Sequence, residues 1–337
     1  MPVMKAVRLD NMDRLMIIDQ TRLPGELIFL DLHDKCTLVE AIAKLRVRGA
    51  PAIGIAAAYG VYVLARSYMG MDRQSFFSVL QQDIAQIRNV RPTAVNLSWA
   101  LARMEKVLNA GREASLSQIT TALREEAMTI DQEDAAISRA IAAHGAPLIE
   151  EGTGILTHCN AGWLATSEWG TALAPLYLAH QQGKRFRVYC DETRPLLQGA
   201  RLTAYELLAA GIDTTLICDN MAAVMMSEGK VDLVFVGADR VARNGDTANK
   251  IGTLSLAINA AYFGIPFYVC APSSTLDPTT SSGADIIIEQ RDPMEITHLW
   301  YRQAMAPSDV GVLNPAFDVT PHSLITGLIS EEGIQYY

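Results

Sequence analysis

The chain beyond residue 147 alternates between short apolar runs and longer segments of helical periodicity, and this alternation limits the fold more than any other feature. Apolar runs of this length are typical of buried strands, and the segments between them are long enough for helices. Strands that alternate with helices form a parallel sheet with helices on both faces. We therefore predict an α/β, doubly wound, Rossmann-like parallel sheet in this part of the chain.

The individual elements of this part follow from the same pattern. The predicted strands are Gly154–His158, Phe186–Cys190, Thr214–Cys218, Val231–Val236 and Pro266–Ala271, with a further strand at Asp285–Glu289. The predicted helices are Ser167–Gln182, Leu197–Ala210, Met221–Glu228 and Ala248–Phe263. A terminal helix is predicted to begin with Thr320 as its N-cap and Pro321 in its first turn.

The chain before residue 146 predicts a mostly helical domain with a small β-meander. Residues 6–32 predict the meander, because strand-like runs flank a turn at Asn11-Met12-Asp13. Thr37 is the predicted N-cap of the first helix, and helical periodicity covers 37–49, 51–67, 72–88, 93–109 and 115–144. Gly145-Ala146-Pro147 is the predicted boundary, which gives an N-terminal domain at 1–145 and a Rossmann-like catalytic domain at 146–337.

Charge and composition exclude several classes of function. The net charge is −9 and no run of basic residues occurs, so the sequence offers no electrostatic footprint for nucleic acid. Neither GxGxxG nor GxxxxGK[ST] occurs, so dinucleotide or nucleoside triphosphate chemistry has no support. The N-terminus lacks the apolar region of a signal peptide, and Pro51–Ala65 is too short and too glycine-rich to span a bilayer. We predict a cytoplasmic protein without a membrane partner.

The five cysteines are widely spaced and form no CxxC or Cys/His cluster, which predicts no metal site and a reducing compartment. Cys159 differs from the others because it ends a strand and precedes Asn160-Ala161-Gly162, a loop whose backbone amides can approach an anion. We therefore predict that Cys159 is functional. The others are predicted to be inert and buried: Cys36, Cys190, Cys218 and Cys270.

Polar and reactive residues follow the predicted strands at the ends where an open α/β sheet binds its ligands. Asp239 and Arg240 follow the fourth strand, and Asp239 is a candidate general acid or base, or else a helix cap or a partner of Arg240. Asp191 and Glu192 end the second strand. For these two acids, a direct role in the site and a supporting or capping role are equally open. We expect His158 to point into the core, because adjacent strand residues face opposite sides of a sheet.

Candidate phosphate-binding residues stand near predicted helix starts, where free N–H groups and the helix dipole attract anions. Arg48 precedes such a start, and Gly49 allows close approach of the backbone. Arg91 and Lys250 occupy similar positions before or near other helices. Each of these residues alone is more often surface charge, but their recurrence favours an anionic small-molecule substrate.

Six ordered motifs, which span nearly the whole chain, carry a resemblance to a known family. They are Arg48-Gly49-Ala50-Pro51-Ala52-Ile53-Gly54, Cys159-Asn160-Ala161-Gly162, Asp191-Glu192-Thr193-Arg194-Pro195, Gln198-Gly199-Ala200-Arg201-Leu202-Thr203, Gly237-Ala238-Asp239-Arg240, and Asn244-Gly245-Asp246 with Asn249-Lys250-Ile251-Gly252-Thr253. Together they resemble the S-methyl-5-thioribose-1-phosphate isomerases of methionine salvage. Their superfamily includes the alpha, beta and delta subunits of the translation-initiation exchange factor.

The resemblance implies a homodimer that isomerises an aldose phosphate to a ketose phosphate without a cofactor. It implies Cys159 and Asp239 as the catalytic pair. It also implies a set of substrate-binding residues: Arg48, Gly49, Ala50, Arg91, Gln198, Asn249 and Lys250. For the transfer of hydrogen from C2 to C1, proton removal by Cys159 and a direct hydride shift both stay open.

Trp163 and Trp169 depart from the small residues that are more frequent in the family at this loop. One hypothesis places either tryptophan against the methylthio group of the substrate, because sulfur–aromatic contacts stabilise by roughly 0.3–1.5 kcal/mol. The alternative is a tryptophan in the core or at a subunit interface.

Two relatives within the superfamily remain as alternatives. A ribose-1,5-bisphosphate isomerase needs a second basic cluster, which Arg194, Arg201 and Arg240 are able to supply. A non-enzymatic regulatory subunit of the exchange factor is disfavoured, because such subunits lack the paired cysteine and aspartate.

Overall fold

The computed structural model describes residues 4–91 and 95–337. The chain divides into two compact units. The first comprises Met1–Ala140 together with Ala161–Gly170, and the second comprises Ile141–Asn160 together with Thr171–Tyr337. Each unit is described by itself.

The first unit begins with the predicted antiparallel meander. Its strands are β1 (Val7–Leu9), β2 (Leu15–Ile18) and β3 (Phe29–Asp31), with β2 in the centre. Leu15, Ile17 and Ile18 of β2 are fully buried, as expected for a central strand that packs against helices. The prediction of a meander at 6–32 is therefore confirmed.

Five helices follow the meander in the part of the chain that the structure describes, and α5 ends within the residues of the second unit. They are α1 (Lys35–Ala43), α2 (Ala50–Ser67), α3 (Arg73–Arg88), α4 (Val95–Ala110) and α5 (Leu116–Gly145). The N-cap of α1 is Asp34 and not Thr37, because the Asp34 side chain accepts the N–H of Thr37 in a capping box. Asp72 caps α3, because its side chain accepts the N–H of Ser75. The predicted start of the fourth helix at Thr93 lies outside the described residues.

Helix α2 lies in the middle of this unit's core. Almost every residue from Ala52 to Ala65 is buried, and the helix packs against α1, α3, α4 and the meander. By length and composition α2 is able to cross a membrane, but 78% of it is buried inside the protein. This burial is typical of a core helix, in which every face meets a neighbouring element.

The second unit contains eleven strands among the described residues. They are β4 (Gly154–His158), β5 (Arg187–Asp191), β6 (Asp213–Ile217), β7 (Leu233–Val236), β8 (Arg240–Ala242), β9 (Thr247–Lys250), β10 (Phe267–Cys270), β11 (Leu276–Asp277), β12 (Phe317–Thr320), β13 (Gly327–Ser330) and β14 (Gly333–Tyr336). Seven of them form one sheet in the order β14-β13-β10-β7-β4-β5-β6. All neighbours are parallel except β14, which runs antiparallel to β13. The predicted doubly wound parallel sheet is confirmed.

A second sheet of four short strands, in the order β11-β8-β9-β12, was not predicted. Residues 248–250 belong to its strand β9, so the predicted helix Ala248–Phe263 is wrong in its first turn. The predicted strand Asp285–Glu289 is also wrong, because a 3-10 turn at Gly283–Asp285 leads into irregular backbone. The predicted terminal helix is wrong as well, since Thr320 ends β12 and a 3-10 turn leads to β13 and β14.

The helices of the second unit are α6 (Ala174–Gln181), α7 (Ala204–Ala209), α8 (Ala222–Ser227), α9 (Thr253–Phe263) and α10 (Met294–Thr297). The predicted helix Ser167–Gln182 begins too early, because 163–165 form a 3-10 turn and irregular backbone precedes α6. The segment before α7, Gly199–Thr203, is a π-helix. Single π turns are frequent at functional sites.

Candidate active site

The strand order of the large sheet defines where a ligand is expected. From β4 the chain adds β5 and β6 on one side, and it then returns to add β7 and β10 on the other side of β4. Ligands of open α/β sheets bind beyond the carboxyl ends of the strands at such a switch point. His158 of β4 lies beside Val236 of β7, so Cys159 and Asp239 follow the two strands that flank the switch point.

Cys159 is held in an unusual backbone conformation. Its φ is 64°, in the left-handed region that few residues with side chains occupy. Its N–H donates to Thr193 Oγ1 at 2.8 Å, and its carbonyl accepts from Thr203 Oγ1 at 2.6 Å. A conformation of this kind persists only where surrounding groups hold it, and it is found preferentially at active sites.

Thr193 is itself fixed in the left-handed region, with a φ of 65°. The Asp219 carboxylate holds it, because one oxygen accepts the Thr193 N–H at 2.7 Å and the other accepts the Arg194 N–H at 2.7 Å. Leu197 has a φ of 56° and donates its N–H to the Thr193 carbonyl at 2.8 Å. Strained backbone is thus concentrated in the loop after β5 and at Cys159.

A buried network of hydrogen-bonded side chains holds Asn160. The Asn160 amide donates to Thr203 Oγ1 at 3.1 Å and to Glu206 Oε1 at 2.8 Å. Glu206 is fully buried, and Tyr177 donates its hydroxyl to the other oxygen at 2.9 Å. Burial, together with the charge of Glu206, raises the pKa of Tyr177 far above its usual value, so Tyr177 stays a donor. This network fixes Asn160, the first residue of the loop that follows Cys159.

Gln198 lies at the start of the π-helix and is buried. Its Oε1 has no hydrogen-bond partner among the described residues, which leaves an acceptor for a ligand donor. Gly199 comes so close to β5 that a Cβ there would lie 1.7 Å from the Asp191 carbonyl oxygen. The close approach explains why glycine follows Gln198 in this motif.

His158 and Asp191 form a buried pair. The ring Nδ1 lies 2.9 Å from Asp191 Oδ2, and Nε2 lies 2.9 Å from the Ile251 carbonyl oxygen. Burial lowers the pKa of His158, but Asp191 outweighs it, so the pKa is raised overall. Burial also raises the pKa of Asp191. His158 is buried, as predicted, and it also contributes a polar contact that the sequence argument did not include.

Asp239 and Arg240 lie at the start of the small sheet. Asp239 donates its backbone N–H to the Ala248 carbonyl at 2.9 Å, and its side chain is half-buried. Arg240 lies in β8, and its guanidinium forms an ion pair with Asp277 at 3.2 Å. Asp239 therefore does not begin a helix, which removes the reading of Asp239 as a helix cap.

Asn249 and Lys250 lie on β9 and not at the head of a helix. The Asn249 amide donates to Thr253 Oγ1 at 3.0 Å, in the first turn of α9. Lys250 Nζ lies 4.2 Å from the ring centroid of Phe317 on β12. The pairing of β8 with β9 places Ala248 opposite Arg240, so this hairpin carries Asp239, Asn249 and Lys250 together.

A turn at 243–246 closes the same hairpin. Asp246 accepts the N–H groups of Gly283 at 3.0 Å and His322 at 3.0 Å. Burial raises its pKa, but these bonds and the His322 side chain outweigh burial and hold the pKa well below its usual range. A permanent carboxylate thus anchors the turn from which β9 leads to Asn249.

The remaining predicted binding residues belong to the first unit. Gly49 is the N-cap of α2 with a φ of 92°, and Arg48 and Ala50 flank it. A Cβ on Gly49 would lie 2.4 Å from Cβ of Ala165 in the loop 161–170, so only glycine fits. Arg48 and Arg91 are both half-buried.

All five cysteines are free thiols. Cys190 and Cys270 are buried, and burial raises the pKa of both thiols far above the usual value, as expected of inert core cysteines. Cys36 is exposed and Cys218 is half-buried, so the prediction of burial is wrong for these two. Cys159 is buried, with 8% of its surface exposed.

Sequence reasoning missed three residues that hold the site in shape. Thr193 and Thr203 bind the backbone of Cys159, and Glu206 binds Asn160. The two threonines stand inside motifs that had been recognised, but hydroxyl groups so far apart in sequence give no sign of a shared target. Glu206 had a signal, because a carboxylate on the apolar face of a helix needs a buried partner.

Comparison with known proteins identifies the class of protein to which this fold and site belong. The chain belongs to the Initiation factor 2 subunit family, which matches residues 46–336. It is 57% identical over 320 residues to a protein of Symbiobacterium thermophilum named methylthioribose-1-phosphate isomerase, covering 95% of this chain and 89% of that protein. A Clostridium botulinum protein named 5-deoxyribose 1-phosphate isomerase is 50% identical over 330 residues, which cover 97% of this chain and 93% of the relative.

A solved structure agrees with these relatives. The crystal structure of 5-methylthioribose 1-phosphate isomerase from Pyrococcus horikoshii has a TM-score of 0.93 and 41% sequence identity to this chain. The match covers 99% of this chain and 93% of that protein.

Proposed function

We propose that this protein is an aldose–ketose isomerase that converts S-methyl-5-thioribose 1-phosphate to S-methyl-5-thioribulose 1-phosphate in methionine salvage. The observation that carries the proposal is the 57% identity, over nearly the whole chain, to a protein named methylthioribose-1-phosphate isomerase. A cysteine and an aspartate at the switch point of the sheet support it, because an isomerase of this kind needs an acid and a second group at the reacting carbons. We propose Cys159 and Asp239 for these roles.

The chemistry of the substrate assigns a first task to Asp239. Phosphate esterifies the C1 oxygen, so the sugar ring does not open to a free aldehyde by itself. An acid must protonate the ring oxygen while the bond from C1 to that oxygen breaks. Asp239, half-buried after β7, is the proposed donor.

Cys159 has the proposed role at C1 and C2. Hydrogen bonds to its N–H and its carbonyl hold the backbone of Cys159 in place, so the position of the thiol is restricted. Such a restriction suits a group that must contact one particular substrate atom. In one route Cys159 takes the C2 proton and returns it to C1. In the other route a hydride moves directly from C2 to C1 and Cys159 stabilises the transition state.

Isomerisation in deuterium oxide separates the two routes. Deuterium at C1 of the product, detected by NMR, excludes a direct hydride shift. Product without deuterium at C1 argues against a route in which the proton exchanges with solvent while Cys159 holds it.

We propose the following substrate-binding residues: Arg48, Gly49, Ala50, Arg91, Gln198, Asn249 and Lys250. The free N–H groups at the start of α2, with Arg48 beside them, are suited to a phosphate. The buried Gln198 Oε1 is suited to accept a hydrogen bond from a sugar hydroxyl. Asn249 and Lys250 supply an amide and a cation from the same strand.

Ribose 1,5-bisphosphate is a weaker candidate substrate, because the arginines that a second phosphate requires make other contacts. Arg194 donates to the Ile296 carbonyl at 2.9 Å, Arg201 lies 5.1 Å from the Trp300 ring centroid, and Arg240 pairs with Asp277. 5-Deoxyribose 1-phosphate has more support, because the name of a 50% identical relative specifies it. It differs from the proposed substrate only by the missing methylthio group.

We further propose a cytoplasmic homodimer that acts without a cofactor, nucleic acid or membrane, with domains at 1–145 and 146–337. Free cysteines and the absence of a polybasic run in the sequence support these points. Sedimentation of the purified protein tests the dimer, and limited proteolysis near residue 145 tests the boundary.

The deciding experiment is a turnover assay of the purified protein. It compares S-methyl-5-thioribose 1-phosphate, 5-deoxyribose 1-phosphate and ribose 1,5-bisphosphate at equal concentration. We expect the highest kcat/KM with the methylthio substrate. A folded protein that turns over none of the three contradicts the proposal and favours a non-enzymatic subunit.

Variants test the two catalytic assignments. Cys159→Ser and Asp239→Asn keep the size of each side chain and remove the thiol or the acid, so we expect turnover to fall by at least about 100-fold for each. Cys270→Ser, in the buried strand β10, is the matched control for the thiol and retains turnover if its fold is intact. A Cys159→Ser variant as active as Cys270→Ser removes Cys159 from the mechanism.

A further inference from the structure

The buried pair of His158 and Asp191 has no role in the chemistry described above. It is one of the few charged groups sealed inside the second unit, with the exposed fraction of the residues at 1% and 2%. Burial of a charged pair carries a desolvation cost, and a replacement of similar volume without charge is frequently more stable. Stability therefore does not explain the pair, and the groups that it contacts indicate another role.

The contacts of the ring restrict where its protons are. The Ile251 carbonyl oxygen, 2.9 Å from Nε2, only accepts, so Nε2 carries a hydrogen. The Asp191 oxygen, 2.9 Å from Nδ1, then requires one more proton on the line between the two atoms. That proton belongs either to the ring or to the carboxyl, and in both cases the pair shares a single proton.

The other end of the ring reaches the strand that carries two proposed substrate-binding residues. Ile251 follows Lys250 directly, and its N–H donates to the Ala316 carbonyl at 3.1 Å. Gly252 has a φ of 107°, and a Cβ there would lie 2.6 Å from Cε1 of His158. The imidazole is therefore packed against the turn between β9 and α9.

We propose that His158 and Asp191 are positioning residues, which share one proton and hold the end of β9 so that Asn249 and Lys250 meet the substrate. The proposal rests on the proposed function, because it concerns how that substrate is held. Asp191 orients the ring from β5, and the ring fixes the Ile251 carbonyl. Loss of the shared proton leaves a lone pair of Nδ1 facing a carboxylate, which drives the ring away from Asp191 and out of the position in which it fixes the Ile251 carbonyl.

The surroundings favour retention of that proton. The charged groups that face the pair are Asp219 after β6, Glu192 directly after β5, and Asp318 on β12. All are acidic, so they favour the protonated form of the pair. The pKa of His158 is raised, so the proton is present at low pH and is lost as the pH rises through that pKa. We expect KM to increase over the same interval.

Two variants separate positioning from general stability. Asp191→Asn keeps the contact, because the amide donates to Nδ1 of a neutral ring, but it removes the shared proton. We expect a KM near that of the wild type at neutral pH, without the alkaline increase. His158→Gln cannot reach Asp191 and Ile251 together, and we expect kcat/KM to fall by about 100-fold, mostly through KM. Asp83→Asn, a buried carboxylate bonded to Tyr68 in the first unit, is the control, with unchanged KM and pH profile.

A second measurement does not depend on turnover. Nitrogen-15 NMR of the histidine side chains, with His158→Gln to assign the signal, reports protonation of each ring nitrogen. We expect Nε2 of His158 to be protonated in the wild type at every pH, and Asp191→Asn to convert the ring to a neutral form protonated at Nε2 alone.

The results that overturn the proposal differ from those that overturn the proposed function. A His158→Gln variant with wild-type KM and pH profile overturns the positioning role, and so does a His158 ring that is unprotonated at Nε2. A folded wild type without turnover on any of the three sugar phosphates refutes the proposed function, and the NMR measurement then still decides whether the pair shares its proton.

Discussion

Thr193→Val tests whether the backbone of Cys159 is held by a side chain. Thr193 is fully buried, and its Oγ1 accepts the Cys159 N–H at 2.8 Å and donates to the Asp191 carbonyl at 3.2 Å. Valine has the same branched shape, so the strain at a φ of 65° is retained while the hydroxyl is lost. The substitution therefore removes the hydrogen bonds and changes little else.

The expected cost follows from the bonds that are lost. A buried N–H without a partner costs about 1–3 kcal/mol, and the Asp191 carbonyl loses a weaker contact, so we expect the free energy of unfolding to fall by about 2 kcal/mol. The left-handed conformation of Cys159 costs about 1–3 kcal/mol by itself, and with one anchor gone the residue is able to relax out of it. A displacement of about 1 Å at the thiol lowers kcat/KM by about 100-fold.

Three measurements test this prediction. Urea denaturation gives the free energy of unfolding, and the turnover assay gives kcat/KM. The rate of thiol alkylation reports the position of Cys159, measured with Cys36→Ser and Cys218→Ser in the background because these two thiols are the more accessible ones.

Thr214→Val is the matched control. Its hydroxyl donates to the Ile212 carbonyl at 2.9 Å at the start of β6, away from the carboxyl ends of the strands. We expect a similar or smaller loss of stability and no change in kcat/KM. If Thr193→Val matches Thr214→Val in both kcat/KM and alkylation rate, the hydroxyl of Thr193 does not position Cys159.

Three further predictions concern the first unit. Gly49→Ala forces a Cβ to 2.4 Å from Ala165 at a φ of 92°, so thermal denaturation is expected to show a loss of about 2 kcal/mol or more, whereas Gly70→Ala, with open space around it, changes stability by less than about 0.5 kcal/mol. Burial raises the pKa of Asp134 to about 7, so the folded state binds more protons and stability falls as pH rises from about 4 to 7. Asp134→Asn is expected to reduce this fall, and by only about 1 kcal/mol because the residue is half-buried. If the variant and the wild type show the same difference in the free energy of unfolding between pH 5 and pH 7.5, the assignment is contradicted. Trp163→Ala and Trp169→Ala test contact with the methylthio group, and the hypothesis fails if both retain the wild-type preference for the methylthio over the 5-deoxy substrate.

Local patterns predicted most of the regular elements. The strand Gly154–His158 has the predicted bounds, and the helix Arg73–Arg88 covers the predicted segment 72–88 except for its first residue, Asp72, which is the N-cap. Such elements are predictable because the spacing of apolar residues and the signals for a helix start both depend on residues that are close together in sequence. The small sheet was missed for the opposite reason. β9 pairs with β12, far away in sequence, and its four residues carry no period of their own.

The candidate site divides in the same way. The positions of Cys159 and Asp239 after apolar runs were sufficient to select them, because strand ends in an open sheet are the ends that meet a ligand. The roles of Thr193, Thr203 and Glu206 needed the fold, since each meets its target across a long stretch of chain. The alternation of side chains along a strand correctly predicts that His158 is buried, but it gives no information about the contact with Asp191.

The sequence by itself determined the alternating strands and helices, the absence of a basic footprint and the residues that follow each strand. These properties depend on neighbours along the chain, where period and composition are sufficient. Only the tertiary structure decided that Cys159 has a left-handed backbone held by two threonines, that Asn249 and Lys250 lie on a strand, and that His158 joins β5 to the end of β9. Hydrogen bonds and close approaches between distant segments depend on how the strands are ordered in the sheet, which no local pattern encodes.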